Sequence, residues 1–264
     1  MLNLENKISI VRQTLLDLGP TCTLLSGGVD SSLMAYLAHE IHPKSTAAIA
    51  VSESLYGDSL DVTRLVAGYI GISLFEVSTT ETQDPKYILN TSRRCAVCRE
   101  VTVDQITQKL PPGFVLLSGV NASDVGELPG IEAMNNSGVR HLLKESGVTK
   151  TEVIQVAKSY GLPNWNRPPM ACLSSNIPRG IMISTEQLTR LGKGLKIIHT
   201  RVPHSKNFIT RVREPKPGVA LVVSEQKMLD IFTTQQREDV RNQLLETGDY
   251  EVVEFGLYVH GQMN

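Results

Sequence analysis

Cys95 and Cys98 stand in the stretch RRCAVCRE, residues 93–100, in a chain of 264 residues with only two other cysteines, Cys22 and Cys172. A CxxC spacing can hold zinc, exchange disulfides, anchor haem or ligate an iron–sulfur cluster. Haem attachment requires a histidine directly after the second cysteine, where this chain has Arg99. A thioredoxin-type motif opens a helix straight after an early strand, and Leu89-Asn90-Thr91-Ser92 does not resemble one. Four cysteines are too few for a disulfide scaffold, so metal binding or redox activity is expected.

Structural zinc needs four closed ligands, so Cys95, Cys98 and Cys172 would have to recruit a fourth such as His141. A cubane cluster takes three thiolates and leaves one iron open, and both readings stand at this point. Cys172 lies in MACLSSNIPRG beside Ser174, Ser175, Asn176 and Arg179, a polar and cationic setting that favours a thiolate. Cys22, inside an apolar strand, reads instead as a small core residue. Arg93, Arg94 and Arg99 would offset anionic thiolates and phosphates nearby, or form a solvated charge run.

The second chemistry-bearing stretch is SGGVDSS, residues 26–32. Gly27 and Gly28 let the backbone turn tightly, and the free N–H groups of a following helix would face the turn, which makes an anion site. Ser26, Ser31 and Ser32 add hydroxyl donors, and Asp30 could hold a magnesium ion or a backbone amide. Neither GxGxxG nor GxxxxGK[ST] occurs, which disfavours a Rossmann dinucleotide site and a Walker loop. The bland alternative is a turn and helix N-cap without a ligand.

The elements that must position these residues alternate. Leu4 to Leu18 has helical spacing, Thr21 to Leu25 reads as a strand, and Leu33 to Ile41 as a helix. Strands near Ala47–Val51, Ser73–Val77 and Phe114–Ser118 are separated by helices near Leu60–Ile70 and Val101–Leu110. The pattern predicts an α/β fold, a parallel sheet with helices on both faces, which binds ligands beyond the carboxyl ends of its strands. Asp124, just past the last of these strands, and Glu127 could carry magnesium, or serve as a cap or turn.

The proline-rich stretch GLPNWNRPPMACLSSNIPRG ends a first domain at residue 180, and 181–264 reads as a smaller α+β domain. That tail holds a helix over Thr185–Ile198, strands near Phe208–Val212, Gly218–Val223 and Glu251–Tyr258, and one helix over Gln226–Glu246. In TRVRE, Arg211 and Arg213 share one face of a strand, which suits a phosphate or an exposed charged face.

The net charge is −1 and the pI about 6.6, which lacks the broad electropositive footprint of a dedicated nucleic-acid binder. No apolar run approaches the roughly 20 residues of a membrane span, and no secretory signal is legible, so a cytoplasmic protein without membrane or nucleic-acid partners is expected.

SGGVDSS after an apolar strand resembles the PP-loop pyrophosphatase group, which implies cleavage of ATP between its α and β phosphates and an adenylylated substrate. Residues 115–180 and the terminal YVHGQMN resemble the LarE family of sulfur transferases, so the likeness spans nearly the whole chain. It implies an adenine nucleotide alpha hydrolase-like domain, with ATP and Mg2+ held by Ser26, Gly27, Gly28, Asp30, Ser31, Ser32 and Asp124. The residue matching Cys172 is either sacrificed for its sulfur or, in members that add a CxxC, joins a 4Fe-4S cluster that passes on a sulfide. With Cys95 and Cys98 present, this chain resembles the cluster-bearing kind.

The implied reaction adenylylates a carboxylate of a pyridinium dicarboxylate mononucleotide and replaces AMP with sulfide, with Arg211 and Arg213 at the substrate's phosphate. A homo-oligomer and a sulfide donor protein are expected as partners. The chain departs from the family pattern of paired acids and an Arg before Pro-Gly, reading Ala122-Ser123-Asp124 and Glu127-Leu128-Pro129, and GVALVVSEQ lacks an early acid. Two other functions compete: a tRNA thiolase of the same group, and a non-enzymatic nucleotide-binding protein with structural zinc.

Overall fold

Strand β1 (Thr21–Leu24) runs between β2 (Thr46–Val51) and β4 (Val115–Leu117), parallel to both, in a computed structural model that describes residues 3–126 and 128–259. With β3 (Ser73–Ser78) outside β2, the sheet order is β3-β2-β1-β4. The chain first moves outward from β1 and then returns to its other side, so the strand order reverses between β1 and β4. In such sheets that reversal opens the crevice where ligands bind. The expected α/β architecture is present.

Helices cover this sheet because their apolar residues recur at helical spacing. In α1 (Leu4–Leu18), Ile8, Val11 and Leu15 are buried, with Asn3 capping the start and Gly19 closing the end at φ 74°. They join Leu33, Met34 and Leu37 of α2 (Val29–Ile41), and Val153, Val156 and Ala157 of α8 (Lys150–Ser159), in one core. A second cluster includes Cys22, Val103, Ile106 and Leu116, which places α5 (Arg94–Thr107) against the sheet. A third brings Val66 and Ala67 of α3 (Ser59–Ile70) onto Leu25 and Ala47.

Helix α5 begins earlier than the apolar spacing suggests, so both residues of the CxxC lie on it. Before it stand a turn over Glu81–Gln83 and the one-turn α4 (Pro85–Ile88), then Asn90 in the left-handed region at φ 51°. Between β4 and α8 run α6 (Pro129–Asn136) and α7 (Leu142–Glu145).

Residues group into two units, Met1–Ser52 with Asp58–Glu81 and Ser92–Asn166, and Glu53–Gly57 with Thr82–Thr91 and Arg167–Asn264. Residues 167–180 therefore cluster with the C-terminal unit, and the hydrogen bonds described below show why. That unit contains α9 (Thr185–Arg201) and a mixed sheet β5-β6-β7, in which β5 (Thr210–Arg213) is antiparallel to β6 (Val219–Ser224) and β6 is parallel to β7 (Val252–Leu257).

The single helix expected over Gln226–Glu246 is two, α10 (Gln226–Ile231) and α11 (Thr234–Glu246). Phe232 is buried against Phe255 in an edge-on contact, and Thr233 starts α11 with a capping box to Gln236. Among the described residues no helix is long and apolar enough to cross a membrane.

Candidate functional site

The SGGVDSS loop leaves β1 at the sheet's reversal point, as a ligand loop should. Leu25 N–H still pairs with Ala48 O, and then Gly27 adopts φ 77° and Gly28 becomes the N-cap of α2. Gly27 is obligatory on two counts: the positive φ, and a built Cβ that would stand 3.0 Å from Ser59 O and 3.1 Å from Thr63 Oγ1. Ser31 and Ser32 hydroxyls donate to Gly28 O at 3.1 and 2.9 Å, and Ser31 Oγ accepts from Ser26 N–H at 3.2 Å. The loop is thus braced from within.

The loop after β4 closes the other side of the crevice. Gly119 is pressed on the first turn of α2, for a Cβ there would lie 2.4 Å from Ser31 N. Asn121 connects the two candidate magnesium carboxylates: its Nδ2 donates to Asp30 Oδ1 at 3.0 Å and its backbone N–H donates to Asp124 Oδ2 at 2.9 Å. Asp30 and Asp124 are therefore brought together. Glu127 lies outside the described residues, as do residues 260–264 of the YVHGQMN ending.

Lys150 belongs to the same cluster and was not singled out by sequence. Its Nζ donates to Asp30 Oδ2 at 2.5 Å, while its backbone N–H donates to Ser123 Oγ at 3.0 Å. The available signal was a cation in the first turn of a helix, where the dipole disfavours it, next to the Thr149–Glu152 capping box.

His141, considered as a fourth zinc ligand, is buried with its Nδ1 2.5 Å from Ser118 Oγ. Burial lowers its pKa below the usual histidine value; Glu145 and Asp124 oppose that and Lys144 adds to it. Among the described residues no three His, Cys, Asp or Glu side chains are grouped as a metal site.

Cys95 and Cys98 occupy the first turns of α5, three residues apart and so on one helix face. Cys95 is exposed and Cys98 half-buried, and none of the four cysteines is in a disulfide. Gly130 of α6 packs beside Cys95, with a built Cβ 3.5 Å from Cys95 Cβ. Of the three nearby arginines, Arg94 is buried while Arg93 and Arg99 are exposed, so they are not one solvated run. Cys22 is the expected core residue: burial pushes its thiol up to about 11, with the nearby Thr46 opposing.

In the C-terminal unit, Cys172 precedes the one-turn helix Leu173–Asn176 and is half-buried. Its carbonyl accepts from Ser175 N–H at 3.1 Å and Ser175 Oγ at 2.7 Å. Leu173 N–H donates to Ser54 O, Tyr87 OH meets Ser174 Oγ at 2.5 Å, and Asn90 Nδ2 donates to Pro178 O and Ile181 O. These bonds fasten the cysteine segment to residues 53–57 and 82–91.

Arg211 and Arg213 do lie on one strand, but not on an exposed face: both are 4 % exposed. Arg211 donates to Pro169 O at 2.6 Å and Thr210 O at 3.0 Å and stacks on Tyr56, its guanidinium 5.2 Å from the ring centre. Arg213 stacks on Tyr258 at the same distance, and burial together with the charge of Arg211 lowers its pKa, against Tyr258. Tyr56, a residue sequence gave no reason to select, is itself fixed by a bond from its hydroxyl to Thr210 O at 3.1 Å.

A parallel sheet with a glycine-serine anion loop and paired carboxylates at its reversal point defines a nucleotide-binding α/β protein. Comparison with known proteins agrees. A family profile described as asparagine synthase matches residues 9–105, the span from α1 through the CxxC. "Uncharacterized protein slr1717" of Synechocystis is 33 % identical over 88 % of this chain and 90 % of its own. "Pyridinium-3,5-bisthiocarboxylic acid mononucleotide synthase" of Lactiplantibacillus plantarum is 25 % identical over 100 % of this chain and 96 % of its own. The chain belongs to the LarE-type family of PP-loop, ATP-dependent sulfurtransferases.

Proposed function

We propose that the protein adenylylates a carboxylate of a pyridinium dicarboxylate mononucleotide and replaces the AMP with sulfide, leaving a thiocarboxylate. The observation that carries the ATP half is the convergence of Gly28, Asp30, Asn121, Asp124 and Lys150 at the sheet's reversal point. The product named for the Lactiplantibacillus relative supports the choice of substrate.

In the first step a carboxylate oxygen attacks the α-phosphorus of ATP, a P–O bond forms, and pyrophosphate leaves with the electrons of the broken bond. Backbone N–H groups of the loop and the first turn of α2, with Ser26, would take up the growing negative charge, while Ser31 and Ser32, whose hydroxyls donate to Gly28 O, would hold the loop's shape. Asp30 and Asp124 would hold magnesium, with Asn121 fixing their separation and Lys150 adding a positive charge. Arg211 and Arg213 would bind the mononucleotide phosphate, and their desolvated guanidiniums suit a dianion.

In the second step sulfide attacks the acyl carbon and AMP leaves. The donor set fits a 4Fe-4S cluster in its chemistry, since Cys95 and Cys98 share a helix face outside any disulfide and Cys172 keeps part of its surface exposed. Such a cluster, if held by Cys95, Cys98 and Cys172, would supply the sulfide and spare the cysteines. Anaerobic protein should carry iron and acid-labile sulfide, lost in Cys98→Ala; zinc without iron would overturn the cluster assignment. The ATP half is tested by pyrophosphate release dependent on the dicarboxylate mononucleotide, which Asp30→Asn should reduce at least about a hundredfold.

A further inference from the structure

The loop's shape rests on a residue far from it in sequence. Asn164 is 4 % exposed, and its side-chain amide donates both to Gly27 O at 2.9 Å and to Ser32 Oγ at 2.9 Å. Ser32 in turn donates to Gly28 O, so one amide nitrogen controls both sides of the turn. Asn164 is held rigidly: after α8 and the turn at Gly161, Leu162 is fully buried in the α1–α2–α8 core and Trp165 packs against that core. Trp165 N–H also bonds back to Leu162 O.

The chemical consequence follows from the peptide group. In a trans peptide the carbonyl and the next N–H point in opposite directions. Capturing Gly27 O on the Asn164 side therefore turns Gly28 N–H away from Asn164, and among the described residues no group accepts from that N–H. Gly27, at φ 77°, has no Cβ to restrict its backbone, so an outside anchor helps fix the direction of its carbonyl. Were the peptide flipped, a carbonyl oxygen would face the incoming phosphates. Asn164 Oδ1 is buried with no hydrogen-bond partner, so the amide is retained for its donor end.

We propose that Asn164 is a positioning residue that orients the Gly27–Gly28 peptide so that its N–H faces the phosphates of ATP. This deepens the ATP-binding reading and rests on it. Equilibrium dialysis with Mg-ATP and, separately, adenosine should compare the full-length protein with Asn164→Ala, Asn164→Asp and the neighbouring exposed Asn166→Ala. The two Asn164 variants should weaken Mg-ATP binding about tenfold, the loss of one oriented hydrogen bond, with adenosine affinity close to wild type and a Tm lowered by the loss of two buried donor bonds. Asn166→Ala should bind as wild type.

Wild-type Mg-ATP affinity in folded Asn164 variants would overturn the inference alone, as would an equal loss of adenosine binding, which marks general damage. If wild type itself fails to bind Mg-ATP, both the inference and the reading beneath it fall. Should both Asn164 variants fail to fold, Ser32→Ala decides: it frees one of the two clamped groups and should weaken Mg-ATP about threefold, and no change would overturn the proposal.

Discussion

Lys150 Nζ stands 2.5 Å from Asp30 Oδ2, and both residues sit in the first turn of a helix, α8 and α2 respectively. A helix N-terminus welcomes the aspartate and disfavours the lysine. The lysine is there for its partner: its Nζ pairs with the Asp30 carboxylate and fixes its direction beside the SGGVDSS loop, where the proposed reaction would have magnesium compete for it.

Because the pair is partly exposed, with 38 % and 23 % of the side-chain surfaces accessible, its worth to folding is small. Lys150→Met should leave Tm within about 3 °C of wild type while kcat/KM for ATP drops roughly tenfold to a hundredfold. Melting curves and pyrophosphate-release kinetics check both halves. A large fall in Tm with unchanged kcat/KM would place the pair in folding.

Thiol reactivity should follow exposure and thiolate character. Among the four cysteines, exposed Cys95 should react fastest with a chromogenic disulfide in metal-free protein near pH 8. Cys22, buried and raised to about 11, should react only when the protein is unfolded. Mass spectrometry of peptides after timed alkylation assigns each site, and early labelling of Cys22 would contradict the packing of β1.

His141 should make stability depend on pH. Its folded pKa lies below the unfolded value near 6.5, so the unfolded chain binds the proton first. Stability is complete above the unfolded value, falls as the pH drops below about 7, and stops falling below the folded pKa. His141→Asn should abolish this segment of the Tm–pH curve and leave the later acid loss, where Glu145, lowered mainly by Arg140, and Glu152, lowered mainly by Lys7, take up protons.

Arg211 offers a geometric test. It bonds Pro169 O and Thr210 O and stacks on Tyr56, a combination that needs a planar fork. Arg211→Lys should raise KM for the mononucleotide about tenfold and leave KM for ATP unchanged. Tyr56→Phe, which removes the hydroxyl bound to Thr210 O, should do the same to a smaller extent.

Local patterns foretold much of this fold. β1 to β4 carry short apolar, β-branched runs, and α1, α3 and α9 carry helical spacing with caps at Asn3 and Ser184 and an αL glycine, Gly71, after α3. The start of α5 was not legible, because Arg93 gives no side-chain cap and no acidic residue marks the first turn. The break at Phe232–Thr233 arises from burial of one ring on Phe255, a contact across more than twenty residues. The glycines, serines and Asp30 of the SGGVDSS loop were readable because their spacing is local.

Lys150, Asn121, Asn164 and Tyr56 were not, since each acts through a partner about ninety or more residues away. The burial of Arg211 and Arg213 was hidden for a related reason. Alternating charges look like an exposed strand face until Tyr56 and Tyr258 are placed over them.

The central claim is sulfur-for-oxygen exchange at an adenylylated carboxylate. The most direct measurement incubates anaerobic protein with Mg-ATP, the pyridinium dicarboxylate mononucleotide and a sulfide source, and follows the mononucleotide by mass spectrometry beside AMP and pyrophosphate. One oxygen should be replaced by sulfur for each AMP and pyrophosphate released, and the exchange should vanish in Asp30→Asn and in Cys172→Ala. ATP cleavage without sulfur in the product, or sulfur transfer that persists without Cys172, would contradict the account.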